Sequence, residues 1–89
     1  MDYQIIHLKD LQRFEINDGE NTAYVEYTLH DGNLDIEHTY VPKLWEGKGL
    51  ASALVKEAYD YALENKLKPV GTCSYAVTWL QRHPEYVRY

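Results

Sequence analysis

A short stretch at positions 46–51, with the sequence EGKGLA, has the residue types of an anion-binding loop. Glycine lets backbone N–H groups approach a ligand closely, because it has no Cβ. The residues that follow predict a helix, and a helix N-terminus presents unpaired N–H donors and a partial positive charge. The stretch therefore predicts a site for phosphate or pyrophosphate. The donors would be the N–H groups of Gly47, Gly49, Leu50 and Ala51, with Lys48 nearby.

An alternative interpretation of this stretch is purely structural. A strand-to-helix turn also favours glycine, because glycine relieves backbone strain. The stretch matches neither the P-loop pattern nor the dinucleotide-binding fingerprint. Both interpretations remain open from the glycine spacing alone.

Two further side chains have the chemistry of a catalytic pair. Cys73 ends a predicted strand, and a thiolate there would be a strong nucleophile that the following helix N-terminus favours. A lone cysteine is also commonly a small buried hydrophobic residue. His38 lies on a neighbouring predicted strand and could act as the base, although it could equally be a cross-strand packing partner. Tyr75 could donate to the thiolate or simply fill a core or interface.

Apolar and alternating segments predict the strands that must position these residues, at 5–8, 12–17, 22–30, 33–41 and 69–74. The third strand places Ala23, Val25, Tyr27 and Leu29 on one face. The fourth places Leu34, Ile36, His38 and Tyr40 on a shared face. We expect an antiparallel meander, with the last strand pairing parallel to the fourth through a right-handed crossover.

Helical periodicity predicts a long helix at residues 47–65 and a short one at residues 75–83. The long helix has an apolar stripe formed by Leu50, Ala53, Leu54, Ala58, Tyr61 and Ala62. The short helix would turn Ala76, Trp79 and Leu80 inward. The predicted fold class is therefore α/β in an α+β arrangement, with a mixed sheet of four or five strands in a single domain over residues 1–89.

Composition excludes several classes of function. The formal net charge of -5 argues against a general nucleic-acid or anionic-membrane surface, and it suits a cationic substrate such as an amine. No apolar run is long enough to span a bilayer. The single cysteine rules out an internal disulfide, which makes the reducing cytoplasm the expected compartment. No cluster has metal-ligand spacing, so no metal is expected.

With this order of elements, residues 13–86 resemble the GNAT N-acetyltransferases. Those enzymes carry an Arg/Gln-x-x-Gly-x-Gly/Ala loop between a strand and a long helix, which Glu46, Gly49 and Ala51 match here. The segments HTYVP at 38–42 and CSY at 73–75 resemble those of the short, single-domain branch of predicted acetyltransferases in this superfamily. The resemblance therefore extends over nearly the whole chain and implies a minimal GNAT-like fold.

The resemblance implies acetyl-coenzyme A as cofactor and acetyl transfer to a small-molecule or protein amine. The cofactor-binding residues that it predicts are Tyr40, Val41, Gly47, Lys48, Gly49, Leu50, Ala51, Ser52 and Tyr75. The predicted catalytic residues are Cys73 and His38. Two routes are open: the amine attacks the thioester directly, or Cys73 first takes the acetyl group as an acetyl-cysteine intermediate.

Two positions depart from the family pattern. Glu46 stands where arginine or glutamine is usual, and a carboxylate beside a pyrophosphate repels it. Leu80 stands where larger members often have a tyrosine that protonates the leaving thiolate. These departures leave open a coenzyme A-binding or regulatory module without turnover. A third interpretation is a small interaction domain that uses no cofactor.

Overall fold

A mixed five-stranded sheet with two helices packed on one face forms the fold. The computed structural model describes residues 2–87. The strands are β1 (Ile6–Leu8), β2 (Arg13–Asn17), β3 (Thr22–His30), β4 (Asn33–Tyr40) and β5 (Lys68–Gly71), and the helices are α1 (Leu50–Glu64) and α2 (Ser74–Arg82). Short 3-10 turns lie at Lys9–Leu11, Lys43–Trp45 and Pro84–Tyr86. Within the described residues, no helix combines the length and apolar character needed to cross a membrane.

The strands lie side by side in chain order, from β1 to β5. The first four form an antiparallel meander, and β5 pairs parallel to β4 after the chain has passed through α1. A parallel partner requires a long connection, which α1 supplies. The predicted fold class and the parallel pairing are both confirmed.

The core lies between one face of the sheet and the two helices. Alternation on β3 buries Ala23, Val25 and Tyr27. Leu29 continues the same alternation, as predicted, but its side chain is 44% exposed near the end of the strand. On α1 the buried residues are Leu50, Leu54, Val55, Ala58, Tyr59 and Ala62. The buried arc is displaced from the predicted stripe, because Val55 and Tyr59 are buried whereas Ala53 and Tyr61 are only half-buried. The displacement is toward α2, where Trp79 packs against Tyr59 at 5.7 Å between ring centroids.

A β-bulge interrupts the alternation of β4. Glu26 pairs with His38 and Tyr27 pairs with Ile36, so Glu37 has no residue opposite it. An extra residue reverses which face every later side chain occupies. Ile36 therefore faces the core, whereas His38 and Tyr40 face the opposite side, which the two helices leave uncovered. The prediction that all four residues share a face is wrong for this reason.

Close packing at the end of β5 brings α2 against the sheet. A Cβ added to Gly71 would lie 2.9 Å from the Cβ of Ala76 and 3.2 Å from the hydroxyl of Tyr59. That hydroxyl donates a hydrogen bond to the Val70 carbonyl at 2.6 Å, so it is held in place. Only glycine at this position lets α2 begin so close to the strand.

Replacing Gly71 with alanine should destabilise the fold, because the added methyl group overlaps the Cβ of Ala76. We expect a loss of about 1–3 kcal/mol in the free energy of unfolding, the usual cost of overpacking a core. Guanidinium denaturation followed by circular dichroism measures this loss.

The double variant Gly71→Ala/Ala76→Gly supplies the control, because it removes the shortest of these contacts. The two changes should cost less together than the sum of their separate costs. Additive costs would show that steric overlap with Ala76 is not the cause.

Candidate functional site

A cavity of about 590 Å³ opens where β4, the glycine loop and the starts of both helices meet. It is lined by Thr39, Tyr40, Val41, Trp45, Glu46, Gly47, Gly49, Leu50, Ala51, Ser52 and Tyr75. The structure thus brings together every predicted cofactor-binding residue except Lys48, which is exposed outside the lining. Its volume is typical of a site for a small molecule or cofactor.

The two loop glycines adopt backbone conformations that other residues disfavour. Gly47 has φ 82° and Gly49 has φ 77°. A Cβ at either position would meet no atom within 4 Å, so the requirement for glycine comes from the positive φ and not from crowding. The open space beside both glycines leaves the loop backbone accessible to a ligand.

The start of α1 presents unpaired amides to the cavity. Its first helical hydrogen bond joins the Ala53 N–H to the Gly49 carbonyl at 3.1 Å. The N–H groups of Leu50, Ala51 and Ser52 precede that bond, and these residues line the cavity. The helix dipole adds a partial positive charge at this end. This is the local arrangement that favours a bound anion.

The cavity lining contains no lysine or arginine side chain that could pair with an anion. Glu46 is the charged residue in the lining, and within residues 2–87 no ion pair joins it to Lys43 or Lys48. An anion held here would therefore depend on backbone amides, hydroxyl groups and the helix dipole.

The sheet splays beside the cavity. β5 pairs with β4 only as far as Gly71 opposite Ile36. The N–H groups of Thr72 and Cys73 both donate to the Ile36 carbonyl, at 3.0 and 3.2 Å, and there the chain leaves the sheet. Beyond Ile36, β4 continues to Tyr40 without β5 beside it. This edge of β4 can pair with an extended ligand through its backbone.

Cys73 caps the N-terminus of α2. Its sulfur accepts a hydrogen bond from the Ala76 N–H at 3.3 Å and lies 3.4 Å from Oγ1 of Thr39. The side chain is half-buried and lies outside the cavity lining, and Thr39 both contacts it and lines the cavity. Thr39 therefore connects the thiol to the cavity.

The structure does not bring His38 to Cys73. The bulge turns the exposed His38 toward Glu26, on the sheet face opposite the core. Thr39 pairs with Val25, faces the core side and takes the expected position of His38. Sequence alternation therefore missed Thr39, which no pattern marked because the bulge is invisible in a hydrophobic period of two.

Tyr59 places a buried hydroxyl behind the start of α2. Burial raises the pKa of Tyr59 far above its usual value, and the nearby ionisable side chains of Cys73 and Asp35 raise it further. The hydroxyl stays protonated, but its hydrogen is already donated to the Val70 carbonyl. Within the described residues, no group of three or more His, Cys, Asp or Glu side chains is arranged to hold a metal ion.

The contact between Thr39 and Cys73 makes a prediction about thiol reactivity. A hydroxyl that donates to sulfur stabilises the thiolate, the reactive form. Thr39→Val should therefore slow alkylation of Cys73 by iodoacetamide about two- to tenfold at fixed pH. The matched change His38→Ala alters the next residue on the other face, so the alkylation rate should not change. A slower rate in His38→Ala and a normal rate in Thr39→Val would contradict this assignment.

Comparison with known proteins matches this architecture. The family model described as GCN5-related N-acetyl-transferase covers residues 13–89. Protein NATD1 of Danio rerio is 30% identical over 89 residues, which covers 94% of this chain and 81% of that protein. Protein NATD1 of Homo sapiens is 37% identical over 51 residues, which is 57% of this chain and 45% of that protein.

A solved structure shares the fold. The solution NMR structure of a GCN5-like protein from Staphylococcus aureus superposes with a TM-score of 0.75 at 31% identity. The match covers 93% of this chain and 82% of that one. Because the family model matches most of the chain and the solved structure shares its fold, the chain belongs to the GCN5-related N-acetyltransferase family.

Proposed function

We propose that this protein transfers the acetyl group of acetyl-coenzyme A to an amine. The observation that carries the proposal is the continuity of the cavity. It joins the free amides of the glycine loop and α1 to the unpaired edge of β4, next to the residue that contacts Cys73. Family membership supports acetyl transfer as the reaction class.

The lining residues fit coenzyme A in two parts. The pyrophosphate would lie against the N–H groups of Gly47, Gly49 and the first turn of α1, where the space beside both glycines is open. The pantetheine arm would run along Tyr40 and Val41, where the β4 edge has lost its strand partner. Lys48 is exposed outside the lining, and its ammonium group would attract the anion only from a distance.

Cys73 supports a covalent route for the reaction. Its sulfur would attack the thioester carbonyl, forming a new carbon–sulfur bond as the bond to coenzyme A breaks, and the thiol proton leaves with the departing thiol. An amine then attacks the acetyl-cysteine, the carbon–nitrogen bond forms as the carbon–sulfur bond to Cys73 breaks, and the amine proton goes to the Cys73 sulfur. The Ala76 N–H and the Thr39 hydroxyl both contact the sulfur that must carry negative charge.

The direct route remains as the alternative for the same overall reaction. The amine would attack the thioester in one step and lose its proton to a base. His38 remains the predicted base for this route. It is exposed on the sheet face opposite the core, so it would take the proton only from an amine substrate that reaches this face. Leu80, at the position where larger members often have the thiolate-protonating tyrosine, favours a third outcome, coenzyme A binding without turnover.

The acceptor belongs to the class of amines, either a small molecule or a protein. A net charge of -5 attracts a protonated amine and gives no support to nucleic acid or an anionic membrane as partner. The single cysteine cannot form an internal disulfide, which fits a reducing compartment and is the basis for proposing the cytoplasm.

Replacing Gly49 with valine should abolish binding of acetyl-coenzyme A in a protein that stays folded. Valine is β-branched and strained at a φ of 77°, so the loop backbone must move and its amides leave their positions. Isothermal titration calorimetry measures the affinity. Gly32→Val is the matched control, because Gly32 has φ 78° and equally open surroundings but lies in the hairpin between β3 and β4. Equal affinity in folded Gly49→Val and wild-type protein would refute the loop assignment.

The covalent route predicts that an acetyl adduct accumulates on Cys73 when no amine is present. Incubation with acetyl-coenzyme A and no amine should add one acetyl group to the protein, and intact-mass spectrometry detects it. Cys73→Ala should remove that adduct, because no other cysteine is present.

The two routes and binding alone give different patterns of activity. Full transfer to an amine panel by Cys73→Ser, with no adduct on the wild-type protein, would establish the direct route. Binding without transfer or adduct would show a coenzyme A-binding module. Acetylation of a lysine in place of Cys73 would count as non-specific labelling and rule against the covalent route.

A further inference from the structure

A hydrogen bond joins the second helix to the cavity. The indole N–H of Trp79 on α2 donates to Oγ of Ser52 on α1 at 2.9 Å. Ser52 lies in the first turn of α1 and lines the cavity, whereas Trp79 is outside the lining and only 5% exposed. Trp79 therefore contacts a lining residue without lining the cavity itself.

The bond determines what the Ser52 hydroxyl can still do. A hydroxyl has one donor hydrogen and two acceptor lone pairs. Serine within a helix often turns that hydrogen back onto the preceding backbone. Here one lone pair accepts the Trp79 N–H, and no side chain or carbonyl within residues 2–87 accepts the hydroxyl hydrogen. The hydrogen is thus available to a ligand in the cavity.

The charge of the cavity makes this donor important. No lysine or arginine is in the lining, and Glu46 opposes an anion. The first turn of α1 contains Leu50, Ala51, Ser52 and Ala53, so Ser52 supplies its side-chain donor. A pyrophosphate at the helix end would therefore find the Ser52 hydroxyl beside the backbone amides.

Trp79 is held firmly on its other sides. Its ring stacks on His83 at 3.8 Å and 17° between planes, and Tyr86 meets it edge-on at 4.9 Å. Tyr86 in turn donates a hydrogen bond to Asp60 on α1 at 2.6 Å. The indole N–H therefore has a fixed direction, toward Ser52.

We propose that Trp79 is a positioning residue that orients the Ser52 hydroxyl as a hydrogen-bond donor to the pyrophosphate of coenzyme A. This inference rests on the proposed function of the cavity. It gives α2 a part in cofactor affinity although its indole does not touch the cofactor. Packing in the core would require only the ring of Trp79, whereas orienting the Ser52 hydroxyl requires its N–H group.

The test is a double-mutant cycle on coenzyme A affinity, measured by calorimetry on the full chain. Trp79→Phe keeps an aromatic ring and removes the donor, and Ser52→Ala removes the hydroxyl. Each should raise the dissociation constant about three- to tenfold, the effect of one hydrogen bond. In the Ser52→Ala background, Trp79→Phe should have no further effect on affinity, because its action passes through Ser52.

A control separates this effect from simple loss of packing. His83→Ala removes the ring stacked on Trp79 and leaves the N–H donor in place. It should lower the melting temperature and leave the affinity for coenzyme A unchanged. Should Trp79→Phe fail to fold, a synthetic chain with benzothienylalanine at position 79 keeps the indole shape and replaces the N–H with sulfur.

Four results would overturn the proposal. If the Trp79 variants bind coenzyme A with wild-type affinity, Trp79 acts only in packing and the proposed function stands. The same holds if Trp79→Phe lowers the affinity equally in the wild-type and Ser52→Ala backgrounds. Equal loss of affinity in His83→Ala would show the same. If the wild-type protein binds neither coenzyme A nor inorganic pyrophosphate in an NMR titration, the proposed function fails, and the role of Trp79 fails with it.

Discussion

The bulge that leaves Glu37 unpaired on β4 is the constraint on which the site depends. Before it, Leu34 and Ile36 are buried in the core, as a strand against helices requires. After it, the phase of the strand reverses, so Thr39 faces the core side and His38 faces away. The same strand thus contributes to the core at its start and lines a cavity at its end. One extra residue separates these two tasks.

Cys73 depends on the way β5 leaves the sheet. The Ile36 carbonyl accepts from two successive amides, which ends the parallel ladder and opens the gap beside β4. Gly71 allows α2 to start at once against the strand, since a side chain there would overlap Ala76. The thiol consequently becomes the cap of α2 and reaches Thr39 across the gap. The position of Cys73 is a product of backbone geometry on both strands.

The predicted anion site in this fold depends on uncharged hydrogen-bond donors. The chain is acidic overall, Glu46 lines the cavity, and Lys48 is exposed outside it. Backbone amides at a helix end carry a partial positive charge and need no ionised partner. Trp79 and Ser52 extend this arrangement, because a hydroxyl oriented by an indole adds a donor without adding a charge.

The sequence by itself determined the order of elements, the fold class and the loop residues around the cavity. Period-two and helical patterns, the turn residues and the two glycines are local signals, and their physical causes act within a few residues. Tertiary structure decided which side chains meet. The bulge, the position of the buried arc on α1 and the bond from Trp79 to Ser52 depend on register and packing between distant segments. A single added residue reverses a strand face, and alternation alone carries no mark of it.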